Sequence, residues 1–204
     1  NHPYVNLVAG SSRDLGRRER FARRAEARTY SDWRELLAQE ELDIVSVATY
    51  TPSHAEISIA CAEHGVRVIY CEKAIATRLS DADRMLEACK ANGALLVINH
   101  NARFSPNCRR LRDLILANQL GELTSASVQW STGRLGGVGT HVIDALCMLT
   151  SRRVLAVSGT LDLSGRPDCR GANFRDPGAW GVIQLDNGLM VTVNAPDYGN
   201  VPLQ

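Results

Sequence analysis

Along the first hundred positions, short apolar runs alternate with segments whose apolar residues recur every three or four places. Residues 5–10, Val5 to Gly10, make the first run and give way to polar Ser11-Ser12-Arg13-Asp14. The next stretch presents Phe21, Ala22 and Ala25 on one helical face, and Ser31 is placed to cap a short helix carrying Trp33, Leu36 and Leu37. Residues 44–49, Ile44 to Thr49, are apolar enough for a strand covered on both faces. Ser53 with Glu56 reads as a capping box for a helix whose inner face is Ile57, Ala60, Cys61 and His64, with Gly65 ending it. Residues 66–71 form another strand. Ser80 with Asp83 opens a helix striped with Ala82, Met85, Leu86 and Cys89, which Asn92-Gly93 closes before a strand at 95–98. Strand and helix alternating at this spacing predict parallel βαβ units with right-handed crossovers.

Beyond residue 100 the pattern changes. Pro106 suits a first helical position, Leu111, Leu114 and Ile115 share a stripe, and Gly121 follows. Residues 125–130 alternate as a strand with one face exposed, and a short helix presents Ile143, Leu146 and Cys147. Residues 154–163 read as extended. Asp186-Asn187-Gly188 between two apolar runs predicts a β-hairpin. The fold class expected is therefore α/β: a parallel sheet over 1–100, then an α+β region with a mainly antiparallel sheet over 101–204.

Composition narrows the function classes. The 204 residues are 45% hydrophobic and 22% charged, with a formal net charge of +1, so there is no electrostatic case for nucleic acid or an anionic membrane. The arginines at 17, 18, 20, 23 and 24 are interleaved with Glu19 and Glu26, as on a solvated helix face. Cysteines at 61, 71, 89, 108, 147 and 169 have neither C-x-x-C spacing nor a tight cluster. A reduced, cytoplasmic protein with no metal site is the expectation.

In an open parallel sheet, ligands gather at the carboxyl ends of the strands. Three such ends carry polar groups here: Gly10-Ser11-Ser12-Arg13, then Thr49 through His54, then Cys71-Glu72-Lys73-Ala74. These segments, with Asp43-Ile44-Val45, Arg103-Phe104-Ser105-Pro106, Gly121-Glu122-Leu123 and Gly139-Thr140-His141-Val142-Ile143-Asp144, resemble the glucose–fructose oxidoreductase/inositol dehydrogenase (Gfo/Idh/MocA) family. The resemblance implies a Rossmann domain that binds NAD(H) or NADP(H), then a domain whose open sheet mediates homo-oligomerisation. It also implies a sugar, polyol or related carbonyl compound as substrate.

By the same resemblance, Lys73 matches the catalytic lysine of a Glu-Lys-Pro motif, with Ala74 in place of the proline and Glu72 placed to orient the lysine. His141 matches the histidine near the substrate carbinol, and Gly137 stands where the family commonly has Asp or Asn. Asp144, one helical turn beyond His141, is placed either to orient the ring or to serve as a helix-end charge. Thr49, Pro52 and His54 match positions lining the nicotinamide side of the cofactor. Asn101 and Arg103 could touch substrate or pair with a carboxylate. Ser12 and Arg13 stand where NAD-selective proteins place an acid on the ribose, so a 2′-phosphate, and hence NADP(H), is preferred, with Asp14 capping the next helix.

No G-x-G-x-x-G occurs at the amino end. The first strand of the Rossmann unit, which normally lies mid-sheet, and its pyrophosphate loop are therefore expected to be missing from this chain, along with the end of the second sheet. Strand edges next to the missing strand should lack partners. An NAD(P)-dependent oxidoreductase is the leading reading. A non-catalytic cofactor-binding sensor or regulator, and an NAD-dependent glycosidase, remain open beside it.

Overall fold

The computed structural model describes residues 3–130, 133–163 and 174–196; Cys169 lies outside them. The chain divides into two compact units, one of residues 1–49, 53–71 and 78–97, the other of 50–52, 72–77 and 98–204. Two short segments preceding residue 100, Tyr50–Pro52 and Glu72–Thr77, thus belong with the second unit.

In the first unit, β1 (Ala9–Ser11) and β2 (Arg28–Tyr30) pair in parallel around α1 (Leu15–Ala25). The first strand is shorter than the apolar run suggested, and β2, with the sequence Arg-Thr-Tyr, has no apolar pattern to announce it. Helix α2 (Trp33–Gln39) buries Leu36 and Leu37, and Asp32 rather than Ser31 caps it by accepting the Arg34 N–H at 2.9 Å. A second parallel sheet orders β3 (Ile44–Val47), β4 (Val68–Glu72) and β5 (Leu95–Asn99), joined by α3 (His54–Glu63) and α4 (Leu79–Ala91).

Neither helix start follows the expected capping box. Ser53 makes no side-chain cap bond, because its hydroxyl donates to Thr49 Oγ1 at 2.8 Å, and Glu56 is drawn away to Arg34. Helix α4 begins at Leu79, ahead of Ser80, after an uncapped Arg78. Val47, Ile57, Cys61, Ile69, Cys71 and Met85 form the buried apolar centre of this unit. Burial there pushes the Cys61 thiol up to about 12, which keeps it protonated and unreactive. β1 and β3 form no ladder with each other; each is an edge strand, and Ile44 on β3 is 56% exposed.

The second unit holds α5 (Pro106–Leu116), opened by Pro106 and capped by Ser105, and α6 (Thr140–Thr150). Its sheet runs β6 (Ala126–Gln129), β9 (Met190–Ala195), β8 (Gly178–Leu185), β7 (Val154–Asp162), antiparallel except for β6 against β9. The β8–β9 hairpin turns where Asn187-Gly188 predicted it; Gly188 has φ +86°, a conformation that glycine adopts without a Cβ clash. Ile183, Leu185, Val191 and Val193 alternate inward from this sheet and pack with Leu146 of α6. On β7, Leu155, Val157 and Leu161 stay exposed. No described helix is long and apolar enough to cross a membrane.

A three-residue network ties β2 to the end of α2. Arg28 grips both oxygens of Glu40, and the Tyr30 hydroxyl donates to Glu40 Oε1 at 2.6 Å. These hydrogen bonds hold the Glu40 carboxyl down at about 2, against an ordinary value of 4.5. The unfolded chain therefore binds a proton at Glu40 that the folded chain refuses. The contribution to stability is complete above the unfolded pKa and disappears as pH falls toward 2. Thermal unfolding followed from pH 6 to pH 2 should show Glu40→Gln losing less stability across that range than the parent; identical pH slopes would refute the linkage.

Candidate active site

Lys73 follows directly on β4, and the Lys73–Ala74 peptide bond is cis. Its ammonium donates to the carbonyl of Gly137 at 2.7 Å, and Glu72 accepts from Asn99 Nδ2 at 2.7 Å, so both ends of the Glu-Lys pair are held. Gly137 lies in a π-helical turn, Leu135–Gly139, that runs into α6. A Cβ at Gly139 would come within 2.8 Å of Leu135 and 2.9 Å of Trp130, so only glycine lets the turn pack there.

His141 is the second residue of α6. Its Nδ1 is buried, and its ring stands edge-on to that of His100, with centroids 5.6 Å apart and planes at 88°. Burial lowers the His141 pKa below its ordinary 6.5. The positive charges of Lys73 and then His100 push the same way, while Glu72 and Asp144 oppose. At neutral pH the imidazole is therefore uncharged and able to accept a proton.

Asp144 does not orient His141. Its carboxylate is clamped by Arg103, whose Nε lies 2.8 and 3.0 Å and Nη2 2.6 Å from its oxygens. A guanidinium fork matches a carboxylate in two-point geometry, which a more distant imidazole cannot outcompete. The nearest imidazole contact is instead His100 Nδ1, at 4.0 Å. Of the two roles open to Arg103, pairing with a carboxylate is the one observed, and Asp144 in turn holds its guanidinium more firmly in the charged form. Asn101 opens the short turn Asn101–Phe104 and is exposed.

The remaining expected residues lie in or beside the first unit. Thr49 and Pro52 are exposed. His54 is fully buried with Nε2 2.9 Å from the Thr49 carbonyl. That contact ties the His54 ring to the backbone at Thr49. At the end of β1, Asp14 caps α1 by accepting the Arg17 N–H at 2.7 Å, and its own N–H donates to Ser12 Oγ at 3.3 Å. Arg18 donates to the Ser12 carbonyl at 2.6 Å, and Arg13 is exposed. Asp14, the acid next in sequence to Ser12 and Arg13, is thus committed to a helix cap. Among the described residues, no group of three or more His, Cys, Asp or Glu is arranged to hold a metal ion.

Comparison with known proteins bears on family and fold. Residues 1–100 match the family model described as "Oxidoreductase family, NAD-binding Rossmann fold". Inositol 2-dehydrogenase 2 of Saccharopolyspora erythraea is 31% identical over 93% of this chain and 58% of its own length. The chain belongs to the Gfo/Idh/MocA family. Another relative, the levoglucosan dehydrogenase of Pseudarthrobacter phenanthrenivorans, is 27% identical over 80% of the chain and 49% of its own length. The crystal structure of myo-inositol 2-dehydrogenase from Lactobacillus plantarum superposes with a TM-score of 0.81 at 16% identity, covering 97% of this chain and 65% of that one. That of the WlbA dehydrogenase from Bordetella pertussis, in complex with NADH and UDP-GlcNAcA, gives 0.80 at 20% identity, covering 96% and 65%. At these identities the structural likeness shows the fold. This Gfo/Idh/MocA chain spans less than two-thirds of the length of the relatives named.

His100, Asn99 and Asp176 are site residues that sequence reasoning did not pick out. His100 and Asn99 were findable, since they stand at the carboxyl end of β5 in the manner of the three strand ends that were read. Asp176 had no local signal.

The electrostatics of His141 can be checked by NMR titration of its imidazole. Its midpoint should lie below 6.5, and Lys73→Gln should raise it, because a neighbouring positive charge that disfavours the imidazolium is gone. A midpoint at or above 6.5 in the parent, or no upward movement in the variant, would contradict the arrangement.

Proposed function

We propose that this chain belongs to an NAD(P)-dependent oxidoreductase that moves a hydride between the nicotinamide and the carbinol or carbonyl carbon of a sugar or polyol. The observation that carries this reading is the gathering of the Lys73 ammonium and an uncharged His141 imidazole in one unit, close enough that the lysine's charge disfavours the imidazolium. Relatives that include inositol and levoglucosan dehydrogenases support the substrate class.

The nicotinamide, when bound, supplies or takes the hydride. The chain's own residues must then manage the proton on the substrate oxygen. In the oxidation direction, neutral His141 accepts that proton while the Lys73 ammonium, held on the Gly137 carbonyl, stabilises negative charge growing on the oxygen. In reduction, the same groups act in reverse: a positively charged donor faces the carbonyl oxygen as it gains charge. Arg103 and Asp144 neutralise each other and hold α6 against the Asn101–Phe104 turn, which fixes where His141 stands. Ser12 and Arg13 would hold the 2′-phosphate of NADP(H), the preferred cofactor, and Thr49, Pro52 and Glu72 would contribute to binding it.

Assayed with NADP⁺ and a panel of inositols, aldoses and anhydrosugars, Lys73→Ala should lower turnover by roughly 10²–10⁴-fold, the scale of lost acid–base help. Near-parental turnover would remove Lys73 from the chemistry. Arg13→Ala should weaken NADPH binding by about 10–100-fold, the worth of a charged hydrogen bond, and leave NADH affinity almost unchanged in parallel fluorescence titrations. Equal losses for both cofactors would mean that Arg13 serves something they share.

A further inference from the structure

The helix that carries His141 begins without a cap of its own. Arg134, the residue before the π turn, is left-handed (φ 57°, ψ 57°) and makes no side-chain cap bond. The first N–H groups of a helix have no partner within it, and at a buried start they must be satisfied from elsewhere. Here they are satisfied from a distant part of the chain. Leu135 N–H donates to the Pro177 carbonyl at 2.8 Å, while Gly136 N–H and Gly137 N–H donate to the two carboxylate oxygens of Asp176 at 2.6 and 2.7 Å. Arg134 N–H adds a bond to the Asp176 carbonyl at 3.1 Å. One carboxylate thus caps two consecutive peptide groups, where a negative charge also complements the helix dipole.

The same short segment presents the carbonyl on which the Lys73 ammonium rests. The approach is close: a Cβ on Gly136 would lie 3.1 Å from Asp176 Oδ1, so glycine at 136 admits the carboxylate. We propose that Asp176 is a positioning residue for Lys73, its carboxylate holding the Gly136–Gly137 backbone so that the Gly137 carbonyl fixes the ammonium's place. The inference rests on the reading of Lys73 as the group that meets the substrate oxygen. The lysine takes a backbone carbonyl as its partner, and the stabilising acid enters from residue 176 to hold that backbone.

The composition of the chain makes this testable without knowing the substrate. Lys73 and Lys90 are its only lysines, and Lys90 is exposed on α4. Under limited treatment with a water-soluble acetylating reagent, read by peptide mass spectrometry, Lys73 should react more slowly than Lys90 in the parent. Asp176→Ala should raise the Lys73-to-Lys90 ratio by about tenfold, the scale of one charge-assisted hydrogen bond. Asp176→Asn, which keeps one acceptor oxygen, should raise it less, and it serves as the readout should the alanine variant fail to fold. Asp32→Ala, which removes the unrelated cap of α2, should leave the ratio at the parental value. A folded Asp176→Ala protein with an unchanged ratio, or an equal rise in Asp32→Ala, would overturn the proposal and leave Asp176 a structural cap. In the turnover assay, Asp176→Ala should lower kcat with little change in NADPH affinity. If Lys73→Ala itself retained turnover, the catalytic reading would fall, and the acetylation ratio would still decide whether Asp176 places Lys73.

Discussion

Backbone N–H groups at the partly buried start of the Leu135–Thr150 helical stretch must find acceptors, and the rest of the site depends on how they do. Asp176 and Pro177 take three of them, from Leu135, Gly136 and Gly137. That satisfaction fixes the π turn, and the turn fixes the Gly137 carbonyl that receives Lys73 and the point from which α6 carries His141 and Asp144. An unmet N–H in such a place costs about as much as a lost hydrogen bond with the desolvation left uncompensated, so the turn has little freedom to drift. Glycines at 136 and 139 favour the arrangement, since side chains there would meet Asp176, or Leu135 and Trp130.

Charge then sorts the groups into roles. Arg103 and Asp144 bind each other in two-point geometry and withdraw from proton chemistry, acting as a brace between the Asn101–Phe104 turn and α6. Lys73 keeps its charge engaged on a neutral carbonyl instead of a carboxylate, and that charge helps to hold His141 neutral. His141 is held neutral chiefly by burial and then by the charge of Lys73, both of which disfavour its imidazolium. The result is an ammonium donor and a neutral imidazole acceptor in the same unit.

The first unit shows a different constraint. Its parallel strands fall into two separate sheets, β1–β2 and β3–β4–β5, and each sheet is internally well formed. A parallel sheet is normally continuous and covered on both faces. Here β1 and β3 end as edges, and the chain spans less than two-thirds of the length of its Gfo/Idh/MocA relatives. The strand-end residues are nonetheless shaped locally: Asp14 is occupied as a helix cap, and His54 and Ser53 brace Thr49 from within the same unit.

The alternation of apolar runs and helical stripes determined the βαβ order, the change of architecture after residue 100 and the Asn187-Gly188 hairpin, because these follow from periodicity and turn chemistry within a few residues. The same local logic, joined to the family resemblance, singled out Lys73 and His141. It failed where a neighbour in sequence lost to one in space. Ser53 was drawn from its helix to Thr49, Glu56 to Arg34, and Asp144 from His141 to Arg103. β2 went unseen because its pairing with β1, more than its own composition, makes it a strand. Only the tertiary structure could bring Asp176 to Gly136 and Gly137, some forty residues away along the chain. An isolated Asp beside a Pro looks the same wherever it falls, and what it caps is decided by which helix start the fold leaves short of acceptors.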